Sequence, residues 1–441
     1  MQAVGALSAL MDIPAVAKIL GAFAGLLVAT RFGVPLGLAL VGGGIGLEFW
    51  AGHGPGRIGA DLLLALQSPL LWLFLGVISL VVEIGRYYTE ARNAKTILDA
   101  VRRWGGRHGW MAGLMAVPSI IGLIPMPAGA LFSAPFVEQA SAHSARSAAW
   151  KTAVNYVFRH TWEFWWPLYP VVIVSMSLFG LEPWRFVLAL IALTPVSLLA
   201  GYWLLVRPHR VELAVGMAPV SASDPRERLL VAILATVIGG ACVLPGAIAP
   251  LVPAMDPENR KMLGMLAGLV LALIMIAVDE WRLQERKTFR KLVERKSLQT
   301  IVTVAGVMIF KSLLDSSGLL PVASRELIAS GIPVAVTVAA LPFLAGLVTG
   351  IGVGYAATSF PLVVGLLHAE GSGLTPMSTV VLAMAFGYTG MMLSPVHLCM
   401  IMSRDYFTAP SAGIYRLVVP YLVVIAATGI ALHLLFRALG W

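Results

Sequence analysis

Apolar runs close to the ~20 residues a helix needs to cross a bilayer recur from Ile13 to Leu435, with short polar segments between them. The pattern predicts an all-α polytopic membrane protein with about ten transmembrane helices, at 13–30, 33–50, 62–85, 150–179, 184–206, 229–250, 260–279, 298–318, 375–402 and 411–436. Two further apolar stretches break the pattern. Residues 109–142 carry Pro118, Pro125, Pro127, Gly129 and Pro135, and residues 332–368 carry Gly350, Gly352, Gly354 and Pro361. Proline removes a helical donor and clashes with the preceding turn, so these stretches predict non-helical backbone at membrane depth, in two re-entrant hairpins. An ordinary kinked helix with small residues for packing is the plainer alternative for the second.

These features occur twice. GLI at 122–124 returns as GLV at 346–348, and GALFSAP at 129–135 returns as GYAATSFP at 354–361, which places a hairpin tip at each. FRHTWEFWWP at 158–167 matches FGYTGMMLSP at 386–395, pairing Phe158 with Phe386, Thr161 with Thr389 and Pro167 with Pro395 at one constant offset. The shared order argues for two repeats of opposite topology with broken helices, an architecture in which the binding site lies near the midplane where the breaks meet.

Composition agrees: 59% of residues are hydrophobic, 12% are charged, and the mean hydropathy is +0.86. The net charge of +9 acquires its meaning from its distribution. With both termini outside, most of the 31 lysines and arginines fall in cytoplasmic segments, and only Arg57, Arg185, Arg260, Lys261, Arg325 and Arg437 lie outside. The charge therefore orients the chain in a cytoplasmic (inner) membrane and implies no nucleic-acid partner. The first helix reads as retained, because no basic region precedes it. Cys242 and Cys399 both lie in apolar stretches and read as core residues, which excludes a disulfide framework or a zinc ribbon. The basic segments 89–109 and 279–297 read as cytoplasmic surface helices against anionic headgroups.

The chemistry concentrates in NYVFRHTWEFWWPLYP, residues 155–170. Arg159, His160 and Glu163 lie within an apolar run, where a charge costs about 2.5–3.5 kcal/mol on insertion scales, so something has to solvate them. One reading is an i, i+4 ion pair between Arg159 and Glu163 on a continuous helix. The other has the helix unwound from about His160 to Pro167, with Arg159 facing an anion and Glu163 or His160 carrying a coupling proton. Trp162, Trp165, Trp166 and Tyr169 form either a cavity wall or an interfacial belt. Hairpin tips present helix ends, whose orphan amides suit anions and whose free carbonyls suit cations. The substrate candidates are Gly129, Ser133, Asn155, Arg159, His160, Thr161, Gly354, Thr358, Ser359, Thr389 and Ser394, and the candidate Na+ ligands are Ser133, Thr161, Thr358 and Thr389. A serine or threonine bonded to a carbonyl of its own helix is the plainer reading of each hydroxyl. His397, which aligns with Tyr169, ranks lower, and Glu83, Lys311 and Asp315 read as interfacial.

IPMPAGALFSAP and NYVFRHTWEFWWPLYP resemble the signature stretches of an uncharacterised prokaryotic membrane-protein family, a domain of unknown function placed within the ion transporter superfamily, related to the divalent anion/sodium symporters. The resemblance covers essentially the whole chain. It implies a homodimer with a fixed scaffold and a moving transport unit, each unit holding two hairpins and two broken helices. In place of the symporters' Ser-Asn-Thr tips the chain offers Ser133 in the first and Thr358-Ser359 in the second.

The sequence thus predicts scaffold helices and a surface helix at 1–108, the first repeat of the transport unit at 109–206, further scaffold helices at 207–331, and the second repeat at 332–441. The function it predicts is secondary transport of a small organic anion, in particular a carboxylate, by elevator-type alternating access coupled to Na+ or H+. A sodium/proton antiporter is the alternative. There is no H-E-x-x-H, G-x-S-x-G or P-loop sequence, so neither an enzyme nor an ATPase subunit is implied, and no cofactor other than Na+ is expected.

Overall fold

The structure is a computed structural model that describes residues 13–105, 111–123, 129–141, 145–209, 224–283, 295–368 and 372–441. The described residues are helices joined by short turns. Among the described residues five helices are long and apolar enough to cross a membrane, namely Pro69–Tyr88, Pro183–Val206, Pro257–Arg282, Pro376–Phe407 and Ser411–Ala438. Pro225–Gly240 with Leu244–Leu251, bent by 52°, makes a sixth. This is a multi-pass membrane protein.

One group of helices comprises α1 (Ala15–Arg31), α2 (Leu36–Trp50), α3 (Pro55–Gln67), α4 (Pro69–Thr89) and the surface helix α5 (Ala91–Gly105). The run expected at 62–85 is divided, because Ser68, extended ahead of a proline, ends α3 and Pro69 starts α4. Later in the chain α12 (Pro225–Cys242), α13 (Leu244–Ile248), α14 (Pro257–Arg282), α15 (Arg295–Ser316) and α16 (Leu319–Ala329) pack back onto the same helices, α14 on α4, α15 on α2 and α16 on α1. Lipid offers no hydrophobic drive between apolar helices, so close backbone approach holds them together. A Cβ on Gly37 would stand 2.3 Å from the Val302 carbonyl oxygen, and one on Gly268 would stand 2.2 Å from Gly240 Cα. Helix α5 is docked on protein by polar contacts: Asn93 Nδ2 donates to Tyr87 O at 2.7 Å, and Thr96 to Asp224 at 2.9 Å. Beside it the buried Arg86 pairs with Glu83 and with Glu280, 2.6 Å away. Residues 106–109 and most of 279–297 lie outside the described residues.

The other group holds the repeated motifs. A π turn at Ala112–Ala116 leads into α6 (Val117–Gly122), and α7 (Ala130–Ala140), α8 (Ala148–Arg159) and α9 (Pro170–Phe179) follow. Next come α10 (Pro183–Leu190) and α11 (Leu193–Gly201), then α17 (Val334–Thr349), α18 (Gly352–Leu367), α19 (Pro376–Leu393), α20 (Leu398–Phe407) and α21 (Ser411–Ala438). Helices α17 and α18 form a hairpin whose turn is Gly350–Ile351. GYAATSFP, expected as its tip, therefore lies inside α18. Gly350, at φ +64°, takes the left-handed cap that ends α17, while Pro361 is accommodated within the helix. GALFSAP likewise lies in α7 with its Gly129 N-cap, and the connection at 124–128 is outside the described residues. The two halves interlock. The second segment of each broken helix packs on the hairpin of the other repeat, α9 on α18 and α20 on α7.

Candidate functional site

Helix α8 stops at Arg159 and the chain resumes as a helix only at Pro170, so the unwound reading of this segment holds. The i, i+4 geometry that would join Arg159 to Glu163 is not formed. A helix ending inside a membrane leaves carbonyls without partners, and bilayer has no water to satisfy them. The side chains of the break supply the donors for α6. Ser119 O accepts from Trp162 Nε1 at 2.8 Å, Ile121 O from Arg159 Nη1 at 3.1 Å, Gly122 O from the Tyr169 hydroxyl, and Leu123 O from Trp166 Nε1 at 2.9 Å. Ile120 O takes the Leu123 amide at 3.0 Å. Trp165 Nε1 donates to Thr194 Oγ1 at 2.9 Å, and that hydroxyl donates to Thr161 O at 2.7 Å. The tryptophans of the break are thus internal hydrogen-bond donors.

The second break is shorter, Ser394 to His397 between α19 and α20. It is sealed by backbone. A Cβ on Gly350 would lie 2.9 Å from Ser394 Oγ and 3.0 Å from the His397 amide nitrogen, so only glycine fits there. Gly350 O faces His397 Nδ1 at 2.7 Å.

The repeat seen in sequence is a repeat of contacts. A Cβ on Gly122 would stand 2.1 Å from Arg159 O, and one on Gly346 would stand 2.4 Å from Gly387 O. Gly346 is the partner of Gly122 in the GLI/GLV match, and Gly387 is the partner of Arg159 in the second match.

The breaks meet at two histidines. His160 Nε2 and His397 Nε2 are 3.0 Å apart, and His160 Nδ1 is 2.6 Å from Tyr156 O. The Tyr156 ring stands edge-on to both imidazoles, and its hydroxyl donates to Met392 O at 3.0 Å. Glu163 Oε1 is 3.8 Å from His160 Nε2. Cys399, read from sequence as plain core, is the third member of this cluster, its Sγ within 4.8 Å of both histidines' ligand atoms. His397 and Cys399 are hidden in the sequence because neither repeats: at the same offset their partners are Tyr169 and Val171.

The remaining candidates are buried and turned to protein. Asn155 Nδ2 donates to Ala130 O and to Ser403 Oγ, both at 2.9 Å, and its Oδ1 has no hydrogen-bond partner among the described residues. Ser133 donates to Ala130 O at 3.3 Å, Thr161 to Phe158 O at 3.2 Å, Thr358 to Gly354 O at 2.7 Å, Ser359 to Tyr355 O at 2.6 Å and Thr389 to Ala385 O at 2.8 Å. Each hydroxyl proton goes to a carbonyl one turn back, leaving oxygen lone pairs as the only cation ligands these groups offer. Gly354 packs against Thr349, where a Cβ would stand 2.6 Å from Thr349 Oγ1. A separate cavity of about 560 Å³ between α18 and helices α15 and α16 is lined by Lys311, Asp315, Arg325 and His368, with Lys311 3.8 Å from Asp315.

Two broken helices whose breaks meet at a buried polar cluster define a class of multi-pass helical membrane protein. The chain belongs to the family described as "Protein of unknown function (DUF401)", whose profile matches residues 105–220 and 248–436, more than half of its length. The fold is shared with the crystal structure of the Alcanivorax borkumensis YdaH transporter, described as having an unusual topology. That structure is 14% identical, with a TM-score of 0.57 over 87% of this chain and 89% of the other. No curated protein matches the sequence.

Proposed function

We propose that the protein is a secondary active transporter that carries a small organic anion, a carboxylate by preference, across the cytoplasmic membrane, driven by Na+ or H+. The observation that carries this reading is the crossing of the two breaks at His160 and His397, 3.0 Å apart. Helix ends in mid-membrane exist at a cost, and their known use is to hold a ligand between repeats. Helices α9, α18 and α20 each begin at a break or hairpin turn, which turns positive dipole ends toward the centre, where Arg159 adds a guanidinium. The shared fold with the YdaH transporter supports the same reading. In it, 1–108 and 207–331 form the scaffold and 109–206 and 332–441 the moving unit, within a homodimer of ten-span subunits with re-entrant hairpins and both termini outside. Membership of the ion transporter superfamily is part of this proposal, as is the candidate set at the breaks. The antiporter alternative needs acids, and Glu163 is the one carboxylate at this cluster among the described residues.

The test is a thermal-shift screen of purified protein against carboxylates, sulfonates and oxyanions, with and without Na+. An anion present at a hundred times its Kd stabilises by about 2.7 kcal/mol. Arg159→Lys keeps the charge and loses the planar fork, so it should stay folded while anion affinity drops about tenfold or more. Stabilisation by Na+ or pH alone, with no anion effective, would favour the antiporter. Topology is tested separately: cysteines at Ser147 and Ser372, in a background lacking Cys242 and Cys399, should label from opposite sides of the membrane. Labelling from one side removes the inverted repeat.

A further inference from the structure

Each histidine at the crossing presents one nitrogen to a backbone carbonyl, His160 Nδ1 to Tyr156 O at 2.6 Å and His397 Nδ1 to Gly350 O at 2.7 Å. A carbonyl cannot donate, so both Nδ1 atoms carry the proton. In two neutral rings both Nε2 atoms are then bare acceptors, and they face each other at 3.0 Å. Two lone pairs do not bond one another. The Cys399 thiol, a hydrogen-bond partner of His160, can serve only one of the two nitrogens, so the pair calls for a positive species between them. A bridging proton would satisfy the two nitrogens on one line, but the third member of the group, Cys399 Sγ, lies off that line and within 4.8 Å of both ligand nitrogens. A metal ion uses all three.

The geometry is close to what such an ion needs. A tetrahedral ion bound at about 2.0–2.1 Å to each nitrogen sets the two nitrogens about 3.3 Å apart, a few tenths beyond their present spacing. An imidazole that gives its other proton to a backbone carbonyl has its tautomer and orientation fixed as in known metal sites. Two imidazoles and a thiolate favour Zn2+ or Cu+ over Na+, Mg2+ or Ca2+. All three residues are buried, with Cys399 8% exposed. We propose that His160, His397 and Cys399 form a binding site for one soft transition-metal cation, of the Zn2+ or Cu+ kind, that ties the two helix breaks together. One ligand comes from the first break, one from the second and one from the first turn of α20, so a bound ion holds the repeats in one arrangement and arrests alternating access. That arrest rests on the transport reading above; the binding does not.

Co2+ is the spectroscopic probe, applied to the full-length protein in detergent under reducing conditions. The wild type should bind one Co2+ per chain with thiolate-to-cobalt charge-transfer absorption, displaced by Zn2+; competition with a Cu+ chelator tells which ion is held more tightly. Cys399→Ser should abolish the charge-transfer band, and Cys242→Ser should leave it. His397→Gln should weaken binding by more than about 100-fold, the upper end of what loss of a supporting contact costs. Metal could instead collect at Glu48, His53 and Asp61, a cluster of two carboxylates and an imidazole without sulfur. Glu48→Gln should therefore leave the band intact. A Co2+ complex without the thiolate band, or a band that survives Cys399→Ser, overturns the site. Melting temperatures in metal-free buffer report folding. If His397→Gln does not fold, Cys399→Ser decides the matter, since it exchanges one atom. In proteoliposomes, Zn2+ should block uptake by the wild type and require about 100-fold more for Cys399→Ser. Binding without inhibition would sink the arrest and leave the site standing.

Discussion

The two breaks occupy matched places in the repeats and are built in opposite ways. The first runs for ten residues, His160 to Tyr169, and is solvated by bulky side chains that reach back to the carbonyls of α6. The second runs for four, Ser394 to His397, and is sealed by the backbone of Gly350. The difference shows that the repeat preserves a contact, a glycine against a carbonyl, which stands at the end of α8 in the first half and inside α19 in the second, and leaves free where and how the backbone breaks. Chemistry can then differ between halves of one fold. The first break carries Arg159 and Glu163, while the second contributes His397 and the adjoining Cys399.

The largest effect should come from that common contact. Gly122→Ala and Gly346→Ala each drive a Cβ into a backbone oxygen that cannot rotate away, and each should cost about 3 kcal/mol or more, the upper end of overpacking penalties. Melting temperature and the elution profile in detergent check this. A variant that tolerates the methyl in one repeat and not the other breaks the equivalence.

Next is Arg159. Arg159→Met deprives Ile121 O of its donor and should destabilise by about 1–3 kcal/mol. Adding Glu163→Leu should restore nothing, because the arginine is held by the hairpin. Recovery of the melting temperature in the double variant would show that the two charges are a structural pair after all.

Smaller effects sharpen the contrast between breaks. Trp162→Phe loses one indole donor and should cost about 1 kcal/mol. Ser394→Ala should cost at most about 0.5 kcal/mol, since its hydroxyl meets the Val396 amide only at 3.4 Å. The reverse order in a denaturation series would mean that the second break relies on its side chains. The smallest change in stability belongs to Ser133→Ala and Thr358→Ala, whose hydroxyls bond within their own helices. If their oxygens hold Na+, both variants raise the Na+ concentration for half-maximal uptake several-fold. An unchanged Na+ dependence, with uptake following a pH gradient, moves the coupling to Glu163 and His160.

Much of this molecule is legible in its sequence. Length and hydropathy give the helices, prolines and glycines give the two interrupted regions, and the repeated GLI/GLV and FRHT/FGYT segments mark residues that make the same backbone contact. The unwinding after Arg159 is legible too, because three ionisable groups beside Pro167 and Pro170 cannot sit comfortably on a lipid-facing helix. The hairpin turn is less so. GYAATSFP has the look of a tip, yet the left-handed cap falls at Gly350, because a proline in a membrane helix is tolerated wherever neighbours re-satisfy the carbonyl it frees.

The sequence by itself determined which stretches enter the membrane, where their helices cannot continue and which contacts recur, because these depend on local composition, backbone donors and the small size of glycine. Only the tertiary structure decided the partners. Arg159 could pair with Glu163 or cap a helix end, and packing of α6 against the break set its Nη1 on Ile121 O. Trp162 and Trp166 became caps for the same reason. His160 stands more than half the chain's length from His397 and Cys399, and no local pattern links it to them. They meet because two broken helices from opposite repeats cross at their breaks, and that crossing is set by the interlocking of whole helices.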